Sequence, residues 1–174
     1  AKRAGVAHLI DFSVADATAF DRTTDRGVIV TNPPYGERLL EKSEVADRNW
    51  SYRDDKVDFG TQYNNRLAVL RLAFNRFADQ EALDAFCKEN SDWLPEFTLY
   101  MALKDENCGA PWYTWEAPLK TRQPDALWQA RQELSENVRF YSFVQYLFST
   151  QWEALRSYAH DRGVKIIGDV PIYV

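Results

Sequence analysis

Apolar residues recur at helical spacing from residue 62 onward. The first series repeats every three or four positions, which predicts a helix over 62–77. Its members are Tyr63, Leu67, Leu70, Phe74 and Phe77. Shorter series of the same kind predict helices over 80–90 and 93–104. Aromatic residues bounded by Pro111 and Pro118 predict a loop after the third helix.

The longest amphipathic pattern predicts one helix from Pro124 to Asp161. Proline is tolerated at the first helical position, and one apolar stripe continues for many turns. The stripe consists of Leu127, Leu134, Val138, Tyr141, Phe148, Trp152, Leu155 and Ala159. Gly163 then supplies a residue able to take the left-handed conformation that ends many helices. The apolar run over 164–170 predicts a strand after it.

The order helix, glycine, strand is the second half of a βα repeat, the unit of parallel sheets and (β/α)8 barrels. Because such a strand needs neighbours on both edges, we expect the sequence to be part of a longer fold. The predicted fold class is α/β and mainly helical, a partial barrel with a helical insertion. Residues 62–162 form the helical subdomain and residues 163–174 a barrel strand.

The first 61 residues have a different character. Short apolar runs predict strands near 9–14 and 27–31, and the polar, irregular stretch 43–61 predicts a linker. Residues 1–42 are therefore expected to form a separate αβ piece.

Composition narrows the function classes. The net charge is −5, and no cluster of Lys and Arg is present, which argues against a nucleic-acid partner. No apolar run approaches the roughly 18 residues that cross a bilayer, so no membrane partner is expected. Cys87 and Cys108 lie far apart without a CxxC pair, which favours free thiols in a reducing compartment. With no signal-like segment at the start, we expect a cytoplasmic location, and no metal site.

Residues 1–42 resemble ribosomal RNA guanine-N2 methyltransferases through the motif Asn32-Pro33-Pro34-Tyr35, followed by Gly36-Glu37-Arg38-Leu39. The resemblance implies that Asn32 and Pro33 accept hydrogen bonds from a target amine, that Tyr35 stacks on a flipped base, and that Asp16 lies near S-adenosylmethionine. The glycine-rich loop that precedes this motif in the family does not occur here. A strand followed by a proline turn explains the same residues without a cofactor.

Residues 39–174 resemble the amylomaltases of glycoside hydrolase family 77. The motifs are Val57-Asp58-Phe59-Gly60, Tyr63-Asn64-Asn65-Arg66-Leu67, Trp93-Leu94-Pro95-Glu96-Phe97, Pro111-Trp112-Tyr113 and Gly168-Asp169-Val170-Pro171. The two resemblances overlap over residues 36–42, which suggests a fusion. The second resemblance implies retaining transfer of α-1,4-glucan segments between malto-oligosaccharides or starch-derived glucans, without a cofactor. In the family the catalytic carboxylates lie beyond the position of Val174, so this chain alone is expected to be inactive.

The resemblance also suggests two site residues. Asp169 would lie near the active site at the end of a barrel strand, although an aspartate there also caps turns. Tyr63 would stack on glucan at a secondary site, although its place in the apolar series equally suits core packing. Trp112, Tyr113 and Trp115 suit either a sugar platform or loop anchors.

Two other functions stay open from the sequence alone. One is a fragment of an S-adenosylmethionine-dependent ribosomal RNA methyltransferase. The other is a non-catalytic helical interaction module.

Overall fold

The computed structural model describes Leu40, residues 42–46, Arg48, Trp50 and residues 58–168. The regular structure of this described part is helical, which confirms the prediction of a mainly helical chain. Its helices are α1 (Lys42–Ala46), α2 (Phe59–Arg76), α3 (Gln80–Glu89), α4 (Leu94–Glu106), α5 (Ala117–Lys120), α6 (Pro124–Glu133) and α7 (Ser135–Asp161), with a 3-10 turn at Trp112–Thr114.

Two aspartates set the starts of α2 and α3. The Thr61 backbone N–H donates to Asp58 Oδ1 (3.0 Å), and the Thr61 hydroxyl donates to Asp58 Oδ2 (2.7 Å). In the same way, the Ala82 N–H donates to Asp79 Oδ1 at 3.0 Å. Such side chains satisfy amide groups that have no partner inside the helix. The cap at Asp58 explains why α2 begins at Phe59, three residues before the predicted start.

The predicted linker 43–61 is wrong at both of its ends. Residues 43–46 belong to α1, and residues 59–61 form the start of α2. The Arg76 guanidinium holds α1 against the end of α2 by donating to both carboxylate oxygens of Glu44, at 2.6 and 2.7 Å. These contacts join residues that are 32 positions apart, so the linear pattern of polar residues did not reveal them.

Helix α7 contributes to three apolar clusters that together form the core. The first joins α4, α5, α6 and α7 through Leu99, Leu103, Trp115, Leu119, Leu127, Ala130, Leu134 and Val138. The second joins α2, α4 and α7 through Leu67, Leu70, Phe74, Met101, Phe140, Tyr141, Val144 and Leu147. The third joins α2, α3 and α7, with Ala73, Leu83 and Phe143 fully buried at its centre. One long helix therefore organises the packing of the others.

The single helix predicted from Pro124 to Asp161 is wrong, because it is interrupted at Leu134, between α6 and α7. Its backbone has φ −101° and ψ 19°, outside the regular helix, yet its N–H still donates to the Ala130 carbonyl at 2.9 Å. A straight helix of that extent would be about 57 Å long at 1.5 Å per residue. Leu127 and Val138, on either side of this break, pack on the same cluster.

The buried face of α7 also differs from the predicted stripe. Phe140 and Phe143 are 1% and 0% exposed, although the stripe omitted both. Phe148 and Trp152, which the stripe included, are 42% and 37% exposed. Since α7 packs against several helices along its length, its buried face changes direction along the helix and does not follow one line.

Of the described residues, those up to Ser157 belong to one compact unit and Tyr158 to Gly168 belong to a second. In the second unit Gly163 has φ +70°, and the Val164 N–H donates to the Ala159 carbonyl at 3.0 Å. This confirms the predicted left-handed helix end at Gly163.

The predicted strand over 164–170 is wrong for residues 164–168, which have no regular structure. A strand is defined by hydrogen bonds to a neighbouring strand, and the described part of the chain offers no such neighbour. Residues 169 and 170, and the strands predicted near 9–14 and 27–31, lie outside the described residues.

Candidate functional site

Tyr63 projects from the second turn of α2 and is 54% exposed. It shares a helical series with Leu70, yet Leu70 is only 8% exposed. Since most of a core side chain is covered, this exposure rules out a fully packed role for Tyr63. An accessible ring remains, as a stacking platform requires.

A hydrogen-bonded polar pair joins α7 to α4. The hydroxyl of Tyr141, a side chain only 3% exposed, donates a hydrogen bond to Asp105 Oδ2 at 2.6 Å. Burial raises the pKa of the Tyr141 hydroxyl, and its bond to Asp105 raises the pKa further. Tyr141 therefore remains a donor, and it orients the Asp105 carboxylate.

Arg71 places a positive charge beside this pair. Its guanidinium lies over the ring of Phe140, with 3.6 Å from the central carbon to the ring centroid. It also donates to Asn137 Oδ1 at 2.6 Å. Its charge lowers the pKa of Tyr141, against the larger effects of burial and of Asp105. Asp105 and Arg71 thus bond to α7 inside the helical unit, whereas the Tyr63 ring is exposed.

The aromatic loop divides into one buried and two exposed rings. Trp115 is 7% exposed, donates through Nε1 to the Ala110 carbonyl at 3.1 Å, and packs 5.5 Å from the ring of Tyr100. It is therefore a loop anchor. Trp112 and Tyr113 are 52% and 61% exposed, with ring centroids 6.1 Å apart. The predicted loop in addition contains a 3-10 turn and the start of α5.

Other chemistry is limited within the described residues. They contain no group of three or more His, Cys, Asp or Glu side chains able to hold a metal ion. Among their helices, none has the length and apolar character needed to cross a membrane. Cys87 and Cys108 are free thiols, as predicted.

Most of the predicted site residues cannot be placed beside Tyr63. Asp169, Asp16, Asn32, Pro33, Pro34 and Tyr35 lie outside the described residues. The pairing of Tyr141 with Asp105, which joins residues 36 positions apart, was not predicted. An apolar series places Tyr141 toward the core, but no local pattern indicates which acid will meet its hydroxyl.

Comparison with known proteins shows the protein family to which the chain belongs. The profile of glycoside hydrolase family 77 matches residues 4–174, so the chain belongs to this family. The family is described as 4-alpha-glucanotransferase. Its match includes most of residues 1–42, and the methyltransferase resemblance of that segment stays a prediction.

Several relatives carry the same description. The 4-alpha-glucanotransferase of Aquifex aeolicus is 38% identical over 138 residues, which are 79% of this chain and 28% of that protein. The 4-alpha-glucanotransferase of Clostridium butyricum is 33% identical over 140 residues, covering 79% of this chain and 29% of that protein. The chain thus spans less than a third of the length of these relatives.

A solved structure agrees with the sequence relatives. The amylomaltase from Streptococcus agalactiae in complex with acarbose superposes with a TM-score of 0.71 at 31% sequence identity. The superposition covers 79% of this chain and 28% of that protein. The likeness therefore extends from sequence to fold.

Proposed function

We propose that the protein to which these residues belong transfers α-1,4-glucan segments from one malto-oligosaccharide to another, and also acts on starch-derived glucans. The family match over residues 4–174 carries the proposal. The likeness to an amylomaltase solved with acarbose, at a TM-score of 0.71, supports it. In the proposed reaction a carboxylate displaces the leaving glucan, and a sugar hydroxyl then displaces the carboxylate, so the configuration is retained without a cofactor.

This chemistry needs two carboxyl groups about 5–5.5 Å apart, one of which is an acid with a raised pKa. In two of the described carboxyl groups the pKa is instead lowered. The Thr61 backbone N–H lowers the pKa of Asp58, and hydrogen bonds from Arg122 and Arg131 lower the pKa of Glu96. Both groups stabilise the fold as carboxylates. We propose that these 174 residues alone do not turn over glucans, because they span less than a third of the length of the related 4-alpha-glucanotransferases.

The helices then form a subdomain beside the catalytic barrel. In this proposal residues 62–162 are the helical insertion, and Asp169 lies close to the active site. The exposed ring of Tyr63 is a secondary contact for glucan. Free thiols at Cys87 and Cys108 suit a reducing compartment such as the cytoplasm.

A segment exchange tests the proposed activity. The 138 aligned residues of the Aquifex aeolicus enzyme are replaced by the matching residues of this chain, and glucose release from maltotriose is measured. We expect the exchanged enzyme to be active. A matched exchange that carries Leu83→Ala, at a fully buried position, reports how far activity depends on the fold of the segment.

A second experiment tests the isolated 174-residue chain for activity. Purified material is incubated with maltotriose beside the intact Aquifex aeolicus enzyme as the positive control. We expect glucose only in the control. Release of glucose by the isolated chain would contradict the proposal that the catalytic pair lies elsewhere.

A further inference from the structure

A groove with a volume of about 160 Å³ lies among α3, α7 and the turn before α4. Its walls combine aromatic rings with amide and hydroxyl groups. The residues that matter here are Asn90, Trp93, Gln145, Phe148, Ser149 and Trp152. Helix α2, which carries Tyr63, contributes no residue to these walls, so the groove is separate from the site at Tyr63.

The aromatic walls are accessible, and one of them is held in place. Trp93, Phe148 and Trp152 are 40%, 42% and 37% exposed. The Trp93 indole N–H donates to Asn90 Oδ1 at 3.0 Å, and Asn90 Nδ2 donates to the Phe86 carbonyl at 2.9 Å. This chain of hydrogen bonds fixes the orientation of the Trp93 ring before any ligand arrives. Fixed side chains reduce the ordering cost of binding.

The polar wall comes from α7. Gln145 and Ser149 are four residues apart and so share one face of the helix. Within the described part of the chain, neither side chain has a hydrogen-bond partner. Together they offer two amide N–H donors, one carbonyl acceptor and one hydroxyl between the aromatic rings.

We propose that this groove is an accessory site that binds a glucosyl unit of an α-1,4-glucan. A pyranose ring presents C–H groups on its faces and hydroxyl groups around its edge, so it meets aromatic and amide groups together. The groove volume is below the ~300 Å³ of drug-sized pockets, so the groove suits a small ligand unit such as one glucosyl residue. The choice of an α-glucan rests on the proposed function, and the groove takes no part in bond cleavage.

The test is a titration of the 174-residue chain with maltotriose, followed by the tryptophan indole N–H signals in NMR spectra. We expect saturable shifts of the Trp93 and Trp152 signals, with a dissociation constant on the order of 1 mM. Mannitol, an open-chain polyol, serves as the control ligand and should cause no saturable shift. Circular dichroism establishes that each variant is folded.

Three variants locate the binding. Trp152→Ala removes an aromatic wall and should weaken binding about tenfold. Gln145→Ala removes polar contacts and should weaken it about fivefold. Trp128→Ala is the matched control, because Trp128 is 66% exposed on α6 and does not line the groove. We expect this control to bind maltotriose like the parent chain.

Two results would overturn the proposal. One is the absence of saturable binding by the folded chain, as expected for a surface that the rest of a longer protein covers. The other is equal binding by Trp152→Ala and Trp128→Ala. An inactive segment exchange with intact Trp152-dependent binding would refute the proposed activity alone. An active exchange without binding in the groove would refute this inference alone.

Discussion

Phe143 and Phe148 lie five residues apart on α7 and provide a matched pair for testing the packing. Phe143 is 0% exposed, and its ring lies 5.5 Å from that of Phe74 and 5.0 Å from that of Phe77. Phe148 is 42% exposed at the groove. The same substitution, phenylalanine to alanine, therefore removes the same atoms from two different surroundings.

The expected magnitudes follow from that difference. At Phe143 the substitution leaves an enclosed cavity, and such changes cost about 3–5 kcal/mol. At Phe148 slightly more than half of the ring is covered, so about 0.9–1.7 kcal/mol of apolar burial is lost, from ~1.5–3 for a fully buried ring. Water can enter the space left at the groove, so no cavity cost is added there.

Urea unfolding, followed by far-ultraviolet circular dichroism, measures both free energies. Single domains are stable by only about 5–15 kcal/mol, so Phe143→Ala can unfold the chain. Phe143→Leu then provides a milder change at the same position. Equal losses for the two alanine variants, or a larger loss for Phe148→Ala, would contradict the packing of α7 described above.

Three further substitutions test individual interactions. Tyr141→Phe should cost about 1–2 kcal/mol, because Asp105 loses its donor. Since the pKa of Tyr141 is raised above its ordinary 10.0, the parent chain should lose stability as the pH rises above 10, and the variant should lack this loss. Asp58→Asn keeps the cap but cannot titrate. Because the folded pKa of Asp58 is below 3.8, its contribution is present above that pH and lost below it, so acid unfolding of the variant should show a weaker pH dependence. Glu96→Gln should lower stability by about 0.2–1 kcal/mol for each exposed pair with Arg122 and Arg131, and high salt should reduce the difference.

Local signals in the sequence account for much of the observed fold. The apolar series predicted the interiors of α2, α3 and α4, because each series returns to one face every three or four residues. Gly163 predicted the end of α7, since a positive φ costs glycine little. These features depend on residues within one or two turns of each other, and for that reason a single sequence reveals them.

Long-range contacts account for the errors. The helix break at Leu134 lies between two helices that pack on the same cluster, and the choice of Phe143 over Phe148 depends on where α2 and α3 lie. The groove likewise exists because α3 meets α7. The spacing of residues along the chain does not reveal these contacts between helices. The family motifs identified the protein family but did not predict any of the contacts.

The activity of the segment-exchanged Aquifex aeolicus enzyme tests the central claim most directly. If these residues form the helical part of a 4-alpha-glucanotransferase, glucose release from maltotriose should stay within about tenfold of the intact enzyme in kcat/KM, a difference of ~1.4 kcal/mol in transition-state stabilisation. A folded exchange with no measurable glucose release would contradict the claim.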